Sequence, residues 1–279
     1  MKLSTLHDFQ LNQSNLQDFI DCPRRFQLKV LEGISWPAAD SEPIEKFEQF
    51  TQLGNRFHLL CQQFFSTIAP NHIQDSIKDP VLLAMWENFL PYGQNLLKYR
   101  LYSEQLLTVP FHHYRLLAKF DLIVELSPTQ YLIIDWKTSS KKPPRKNLEK
   151  RVQTFLYPYI FFLAGSDLFQ DKSFQPDFIE MQYWYPLHED HQEIFLYSKE
   201  KHNTVTSDLD RLVTEINSMI EGQNTFSLTS DLSNCQYCIF RSLCNRGTKA
   251  GPLDKTQVME QDDLSNVYFD FEQIKEIEF

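Results

Sequence analysis

Two periodicities of apolar residues alternate along this chain. Apolar positions recur at helical spacing over five stretches, with Ser14 as the predicted N-cap of the first: residues 15–31, 47–65, 80–99, 147–163 and 206–222. Short β-branched and aromatic runs predict five strands: residues 106–111, 116–125, 130–136, 178–185 and 193–197. This order of elements predicts an α/β fold with a mixed central sheet flanked by helices.

Residues 120–137 carry two aspartates and a lysine on a predicted hairpin. Asp121 lies at the head of one strand pattern, Asp135 ends the next, and Lys137 follows just beyond. Pairing of the two strands would bring the carboxylates together. Two carboxylates can hold a divalent cation, and a neighbouring ammonium can orient a water or stabilise a developing oxyanion. The pattern therefore indicates a metal-dependent phosphodiesterase, although acids also end strands simply because strand ends meet solvent.

The five cysteines predict a second centre. Cys235, Cys238 and Cys244 have the spacing C-x2-C-x5-C, and Cys22 is the candidate for a fourth ligand. Cys61 lies in an apolar helical pattern and is predicted to be a buried small hydrophobe. Four thiolates fit either an iron–sulfur cluster or a structural zinc, whereas close spacing without a leader disfavours disulfides. Such a centre would join an N-terminal helix to a loop 213 positions later in the chain.

Three further positions have both a structural and a functional interpretation. His58 lies among apolar neighbours in a helical segment, so it is either a core histidine or a nitrogen ligand beside the two carboxylates. Gln153 and Tyr157 share one helical face at i and i+4. They are either a solvated amide and a core aromatic, or contacts to a nucleotide and to the attacking water.

Taken in order, these residues resemble a known family. The set looks like the RecB-type branch of the PD-(D/E)XK nuclease superfamily: His58, Asp121, Asp135, Trp136, Lys137, Gln153 and Tyr157. The cysteines resemble those of its iron–sulfur members, which include CRISPR-associated RecB-like exonucleases and the nuclease domains of helicase–nuclease repair complexes. The resemblance extends from residue 11 to about residue 247. Ala118 and Trp136 replace a common glycine and tyrosine of the family, and neither exchange threatens the chemistry.

The resemblance implies a role for each residue of the set, within a restriction-endonuclease-like fold. Asp121 and Asp135 would coordinate Mg2+ or Mn2+, with His58 and the backbone carbonyl of Trp136 as further ligands. Lys137 would activate or position the hydrolytic water. Two residues would complete the site near the scissile phosphate: Gln153 and Tyr157. Four cysteines would hold a [4Fe-4S] cluster that braces the fold: Cys22, Cys235, Cys238 and Cys244.

The implied function is that of a metal-dependent deoxyribonuclease, an exonuclease on single-stranded DNA ends in DNA repair, recombination or CRISPR spacer acquisition. A helicase or a CRISPR adaptation protein would be its partner. The alternative is a catalytically silent DNA-binding or scaffold subunit, which the intact Asp121, Asp135 and Lys137 disfavour. A third possibility is a zinc-clipped structural protein, which would be colourless where an iron–sulfur protein is brown.

Length and composition fit one nuclease domain, residues 1–253, followed by an acidic tail, residues 254–279. With 279 residues and 42% hydrophobic content the chain can bury one sizeable core. It has no apolar run long enough to span a membrane and no signal-like leader, so we expect cytoplasmic residence. The tail interleaves acids with aromatics, and is expected to bind a protein partner or to cover a basic groove.

The charge balance is unusual for a DNA-binding protein. The net charge is -10, but the tail has eight acids against two lysines, so the preceding residues account for only -4. Residues 137–151 hold seven basic side chains against the single Glu149. That segment is either a solvated loop or a track for phosphates. Glu104 is either an accessory acid or a solvated strand edge.

Overall fold

The computed structural model describes residues 9–34, 42–139, 141–169, 174–188, 190–236 and 238–247, without the side chains of residues 42–48, 167 and 168. The strands in these ranges are β1 (Gln10–Asn12), β2 (Arg100–Phe111), β3 (Tyr114–Ser127), β4 (Gln130–Trp136), β5 (Ile179–Trp184) and β6 (Gln192–Leu196). The α-helices are α1 (Gln13–Asp21), α2 (Pro23–Phe26), α3 (Glu42–Phe65), α4 (Pro70–Ser76), α5 (Pro80–Leu96), α6 (Arg145–Leu148), α7 (Val152–Phe169) and α8 (Lys199–Ile220), and a π-helical turn at Gln27–Leu31 follows α2.

The 14-residue strand β3 organises the sheet. β2 pairs with it antiparallel along one edge. Its other edge is shared end to end by β1, parallel at residues 115–117, and β4, antiparallel at residues 122–127. β5 then pairs parallel with β4, and β6 pairs antiparallel with β5. The predicted mixed central sheet is therefore confirmed, and α6 and α7 form the crossover that two parallel strands require.

Helices cover both faces of the sheet. One core packs α1, α7 and α8 against the sheet, and the other packs α3, α4 and α5 against the opposite face. In β4, Ile133 belongs to the first core and Ile134 to the second, which explains why this strand is apolar without alternation. Each fully buried side chain of this size contributes about 1.5–3 kcal/mol through removal from water. The two cores thus hold the end of β4 between them.

The first helix differs from its prediction. It breaks at Cys22, whose backbone is extended with φ -165° and ψ 105°, and α2 restarts at Pro23. Proline suits the first position of a helix because its missing N–H would have no intrahelical partner there. The N-cap is Asn12, which exchanges hydrogen bonds with Asn15, so the prediction of Ser14 as the cap was wrong.

Other element boundaries also differ. Residues 147–163 were predicted as one helix, but α6 ends at Leu148 and α7 begins at Val152. The three-residue β1 and the seven-residue α4 were missed, because such short segments carry little periodicity. Among the described residues, no helix is long and apolar enough to cross a membrane. The predictions for residues 254–279 lie outside the described ranges.

The half-buried ring of His202 predicts a pH-dependent stability. His202 of α8 stacks on Tyr159 at 4.9 Å, meets Phe162 at 4.7 Å, and its Nδ1 lies 3.0 Å from the Tyr197 hydroxyl. Burial lowers the pKa of His202. The unfolded chain, with a histidine pKa of about 6.5, then binds the proton more tightly than the folded protein. The contribution of His202 to the free energy of unfolding is therefore fully present above that pH and is lost as the pH drops below it.

We expect His202→Gln to reduce the loss of Tm between about pH 7.5 and pH 5.5 relative to the wild type. Thermal unfolding followed by circular dichroism measures this difference, with His72→Gln on the exposed face of α4 as the matched control. Equal pH dependence in His202→Gln and wild type would show that this ring does not set the acid sensitivity.

Candidate active site

Strand β3 changes faces at Asp121. Phe120 belongs to the core under α7, but Leu122 belongs to the opposite core, although residues two apart on a regular strand share one face. Opposite this point on β2, Glu104 has a left-handed backbone with φ 54°, an uncommon conformation for a residue with a Cβ. Both strands are therefore irregular here, and the carboxylate of Asp121 meets the end of β4.

Three residues close a ring of hydrogen bonds at this end of β4. Asp121 Oδ2 accepts from the backbone N–H of Trp136 at 2.9 Å. His58 of α3 places Nε2 2.8 Å from the Trp136 carbonyl oxygen and Nδ1 3.2 Å from Asp121 Oδ1. A carbonyl and a carboxylate both accept hydrogen bonds, so each contact needs a proton on the ring nitrogen that faces it, and the tautomer decides which contact is a hydrogen bond. The ring thus places the Asp121 carboxylate and the Trp136 carbonyl oxygen beside one imidazole.

A second network lies on the α7 side of the same strand end. Lys137 Nζ lies 2.9 Å from Asp135 Oδ2 and donates to Gln153 Oε1 at 2.8 Å, while Gln153 Nε2 donates to Asp135 Oδ1 at 2.5 Å. The ammonium also lies 5.3 Å from the centroid of the Tyr183 ring. All three polar side chains are almost fully buried, at 4–6% exposure. Their mutual pairing compensates charges that would otherwise be costly to bury.

The backbone explains how Lys137 reaches this place. Its N–H donates to the Trp184 carbonyl at 2.8 Å, which extends the parallel pairing of β4 and β5 by one residue beyond the strand. The Trp136 ring packs edge-on against Phe89 at 5.4 Å and Trp184 at 5.8 Å. Asp135, Trp136 and Lys137 are therefore held in extended conformation, with successive side chains on opposite faces.

Tyr157 and Glu104 differ in how they relate to the site. Tyr157 is buried, and its ring packs on Phe120 at 4.9 Å. The Glu104 side chain is only 18% exposed and pairs with Lys119 at 2.5 Å, so Glu104 is not a solvated strand edge. Burial, and then the charges of Asp121 and Glu104, raise the pKa of the Cys61 thiol. Cys61 is buried one helical turn beyond His58, as its apolar pattern predicted.

Four of the five cysteines line one small cavity. The cavity has a volume of about 20 Å³. Cys22 lines it from the break between α1 and α2, and three cysteines line it from the C-terminal loop: Cys235, Cys238 and Cys244. The surrounding cations on this cavity are Arg25, Arg241 and Arg246. All the cysteines are free thiols, and burial raises the pKa of both Cys238 and Cys244.

The candidate metal ligands lie close together, but they are not directed at one common position. Asp121 contacts His58 and Trp136, whereas Asp135 contacts Gln153 and Lys137. Within the described ranges, no three or more His, Cys, Asp or Glu side chains are spaced as ligands of a metal ion. The predicted site residues are thus neighbours at one strand end, with the two carboxylates in separate networks.

Two cations of the basic segment after Lys137 pair with acids on and beside β6, which neither of the two predicted interpretations of this segment included. Lys142 Nζ lies 3.0 Å from Asp190 Oδ2 and 3.1 Å from Glu193 Oε1, and it donates to two backbone carbonyls near β6. Arg145 pairs with Glu193 at 2.9 Å. These partners lie about 50 residues away in the sequence, so local charge counting could not identify them. The hydrogen bond from Lys142 lowers the pKa of Asp190.

Comparisons with known proteins identify the family. A family model described as the PD-(D/E)XK nuclease superfamily matches residues 10–245. A crystal structure from Eubacterium rectale, provisionally named an exonuclease, is 11% identical, with a TM-score of 0.49 over 91% of this chain and 95% of that chain. A crystal structure of a protein designated SSO0001 is 14% identical, with a TM-score of 0.35 over 84% and 85%. Both scores are below 0.5, so neither structure carries the assignment. No curated protein matches the chain significantly.

The ion pairs of Lys142 lead to a stability prediction. We expect Lys142→Met to lower Tm by about 2–4 °C, because it leaves the half-buried Glu193 with one cation fewer. Lys146→Met, at a neighbouring exposed position, should leave Tm unchanged. Differential scanning calorimetry compares the two variants. An equal effect of both substitutions would mean that Lys142 does not anchor this segment to β6.

Proposed function

Because the chain belongs to the PD-(D/E)XK nuclease superfamily, we propose that it is a metal-dependent DNA nuclease of the RecB-like iron–sulfur branch. It would act as an exonuclease that hydrolyses DNA from single-stranded ends. The observation that carries this proposal is the end of β4. There His58, Asp121 and the Trp136 carbonyl meet on one side, and Asp135, Lys137 and Gln153 on the other.

The donor set fits Mg2+ or Mn2+. Such hard cations take oxygen ligands, and we assign Asp121, Asp135 and the Trp136 carbonyl as the oxygens and His58 as a nitrogen ligand. The ring around His58 supports this assignment, because it already places the Asp121 carboxylate and the Trp136 carbonyl oxygen beside one imidazole, which would bind the cation as a neutral ring. The bound cation would supply electrostatic stabilisation to a phosphate undergoing in-line attack and acidity to a coordinated water.

Lys137 is assigned the role of positioning the attacking water. Its ammonium is held by Asp135 Oδ2 and Gln153 Oε1, so its direction is fixed by the protein before the substrate arrives. A preorganised cation in a buried site stabilises developing negative charge without reorganisation during the reaction. Gln153 holds both Lys137 and Asp135 and is therefore assigned a positioning role. Tyr157, whose ring lies behind β3, would complete the pocket near the scissile phosphate.

We further propose that the four clustered cysteines hold a [4Fe-4S] cluster. Four free thiols from both ends of the domain line the same cavity, and arginines beside it suit an anionic thiolate-bound centre. Each cysteine of a four-iron cluster binds a different iron atom, so its ligands lie farther apart than those of one zinc ion. A zinc ion on the same four cysteines is the alternative, and the metal content of the purified protein distinguishes the two.

The pathway and partners are inferred from the resemblance alone. We assign the chain to DNA repair, recombination or CRISPR spacer acquisition in the cytoplasm, with a helicase or a CRISPR adaptation protein as partner and the acidic tail as a protein-binding segment. The net charge of -10 agrees with a nuclease that acts with a partner, since a chain coated for DNA would carry an excess of cations.

We expect the wild type, purified anaerobically, to degrade end-labelled single-stranded DNA in the presence of Mn2+ or Mg2+. Lys137→Ala should reduce kcat by about 10²–10³, because a preorganised charge at the reacting phosphate is lost. Lys146→Ala, an exposed lysine of the same segment, is the matched control and should retain activity. Covalently closed single-stranded circles distinguish the two modes of attack, since an exonuclease leaves them intact.

Equal activity of Lys137→Ala and wild type would remove Lys137 from the mechanism. A wild type that binds DNA but cleaves none, with its cysteine centre intact, would instead favour a silent scaffold subunit. Loss of cleavage in the Lys146→Ala control would mean that the assay reports DNA binding and not chemistry.

The cluster assignment has a separate test. Wild-type protein is expected to be brown and to contain about four iron atoms per chain by elemental analysis, the composition of a four-iron cluster. Cys22→Ala should lose most of the iron and colour, because it removes the one ligand from the N-terminal side. Cys61→Ala, which removes a buried thiol outside the cavity, should retain both. Colourless protein with one equivalent of zinc would overturn the cluster in favour of a zinc clip.

A further inference from the structure

We propose that Gln17 and Asp21 are positioning residues for catalysis, which tie the cysteine loop to the active-site helix through one continuous line of hydrogen bonds. The proposal rests on the proposed nuclease function for its kinetic consequence, but the physical connection belongs to the described residues. The line runs from Asn234 in the loop, through Asp21 and Gln17 on α1, to Val152 at the start of α7.

The first part joins the loop to α1. The side-chain amide of Asn234, next to Cys235, donates to the Asp21 carbonyl oxygen at 3.1 Å, one residue before Cys22. The Asp21 carboxylate accepts from Arg25 at 2.7 Å. Arg25 is held in turn by the buried Asp18, whose Oδ1 lies 2.7 Å from its Nε. Asp21 therefore has a fixed position that depends on both sides of the break at Cys22.

The second part crosses from α1 to α7. Gln17 Nε2 donates to Asp21 Oδ1 at 2.9 Å, and Gln17 Oε1 accepts from the backbone N–H of Val152 at 3.1 Å. The first N–H groups of a helix have no partner within the helix, so a side chain from elsewhere in the chain here satisfies one of them. The amide nitrogen of Gln17 donates within α1 and its amide oxygen accepts from α7, so neither hydrogen bond can replace the other.

The third part reaches the reacting groups. Val152 is directly followed by Gln153, whose amide orients Lys137 and Asp135 together. A shift at the first turn of α7 therefore moves Gln153, which holds both charged groups. Catalytic geometry is sensitive to displacements well below 1 Å. The line thus gives the cysteine loop, about 80 residues further along the chain than Gln153, a direct mechanical effect on the site.

Three variants separate this line from a general effect on folding. Gln17→Leu removes both of its hydrogen bonds. Gln17→Glu keeps an acceptor for Val152 but places a second carboxylate against Asp21. The double variant Gln17→Glu with Asp21→Asn restores the line with the amide and the carboxylate exchanged, because the new amide can donate to position 17 and still accept from Arg25. Gln94→Leu, exposed on α5, is the control.

Hydrogen exchange of the Val152 amide is the direct measurement, and kcat and KM for single-stranded DNA are the kinetic ones. Gln17→Leu should exchange this amide about tenfold faster and lower kcat by about tenfold at unchanged KM, the scale of one net hydrogen bond lost. The exchanged double variant should recover both values, since a coupled pair is recognised by the non-additivity of its single changes.

The proposal fails if Gln17→Leu leaves the exchange of Val152 unchanged, or if the double variant folds with wild-type Tm and recovers neither value. A change in KM alone would also overturn it, because that would place Gln17 in DNA binding. If the wild type itself cleaves no DNA, the proposed function fails. Hydrogen exchange of the Val152 amide then decides alone whether Gln17 stabilises the start of α7.

Discussion

The conformation of the peptide units around Trp136 is the constraint on which the rest of the site depends. The N–H of this residue is taken by Asp121 and its carbonyl by His58, while the next N–H pairs with Trp184 of the parallel strand β5. One extended segment therefore presents a carboxylate and an ammonium to α7, a backbone carbonyl to α3 and a backbone N–H to Asp121 of β3. It can do so only because both faces of β4 are covered, which requires the helical layers on either side of the sheet.

Burial makes the second network an all-or-none arrangement. Lys137 and Asp135 are charged groups with almost no exposure, and removing one partner of such a pair costs about 3–5 kcal/mol. Gln153 contributes both a donor and an acceptor, so it fixes the relative orientation of the two charges as well as compensating them. The same low dielectric that makes these groups expensive to bury strengthens their effect on a phosphate. Stability and the proposed chemistry thus depend on the same contacts.

The sequence predicts what is local or follows from strand alternation. Apolar periodicity identified the mixed sheet, and the hairpin pattern placed Asp121 beside the end of β4. For His58 and Gln153, whose partners include residues 63 and 16–18 positions away, only the resemblance to a known family favoured the functional interpretation over the structural one. The irregular β3, the pairing of Lys142 with Asp190 and the contact of Gln17 with Val152 had no sequence signal, because each depends on how distant elements are packed. The break at Cys22 could have been predicted from Pro23, which disfavours helical backbone in the residue before it.

Part of the cationic charge that follows Lys137 is engaged within the protein. Lys142 and Arg145 are paired with Asp190 and Glu193, so these two side chains tie the segment after Lys137 to β6. Of the arginines that line the cavity beside the cysteines, Arg25 is likewise paired, with Asp18 and Asp21. Under the proposed function, the substrate would be held by the ammonium of Lys137 and a bound cation, and not by a basic coat. Precise positioning of a few buried charges, from the Trp136 peptide outward, then takes the place of general electrostatic attraction.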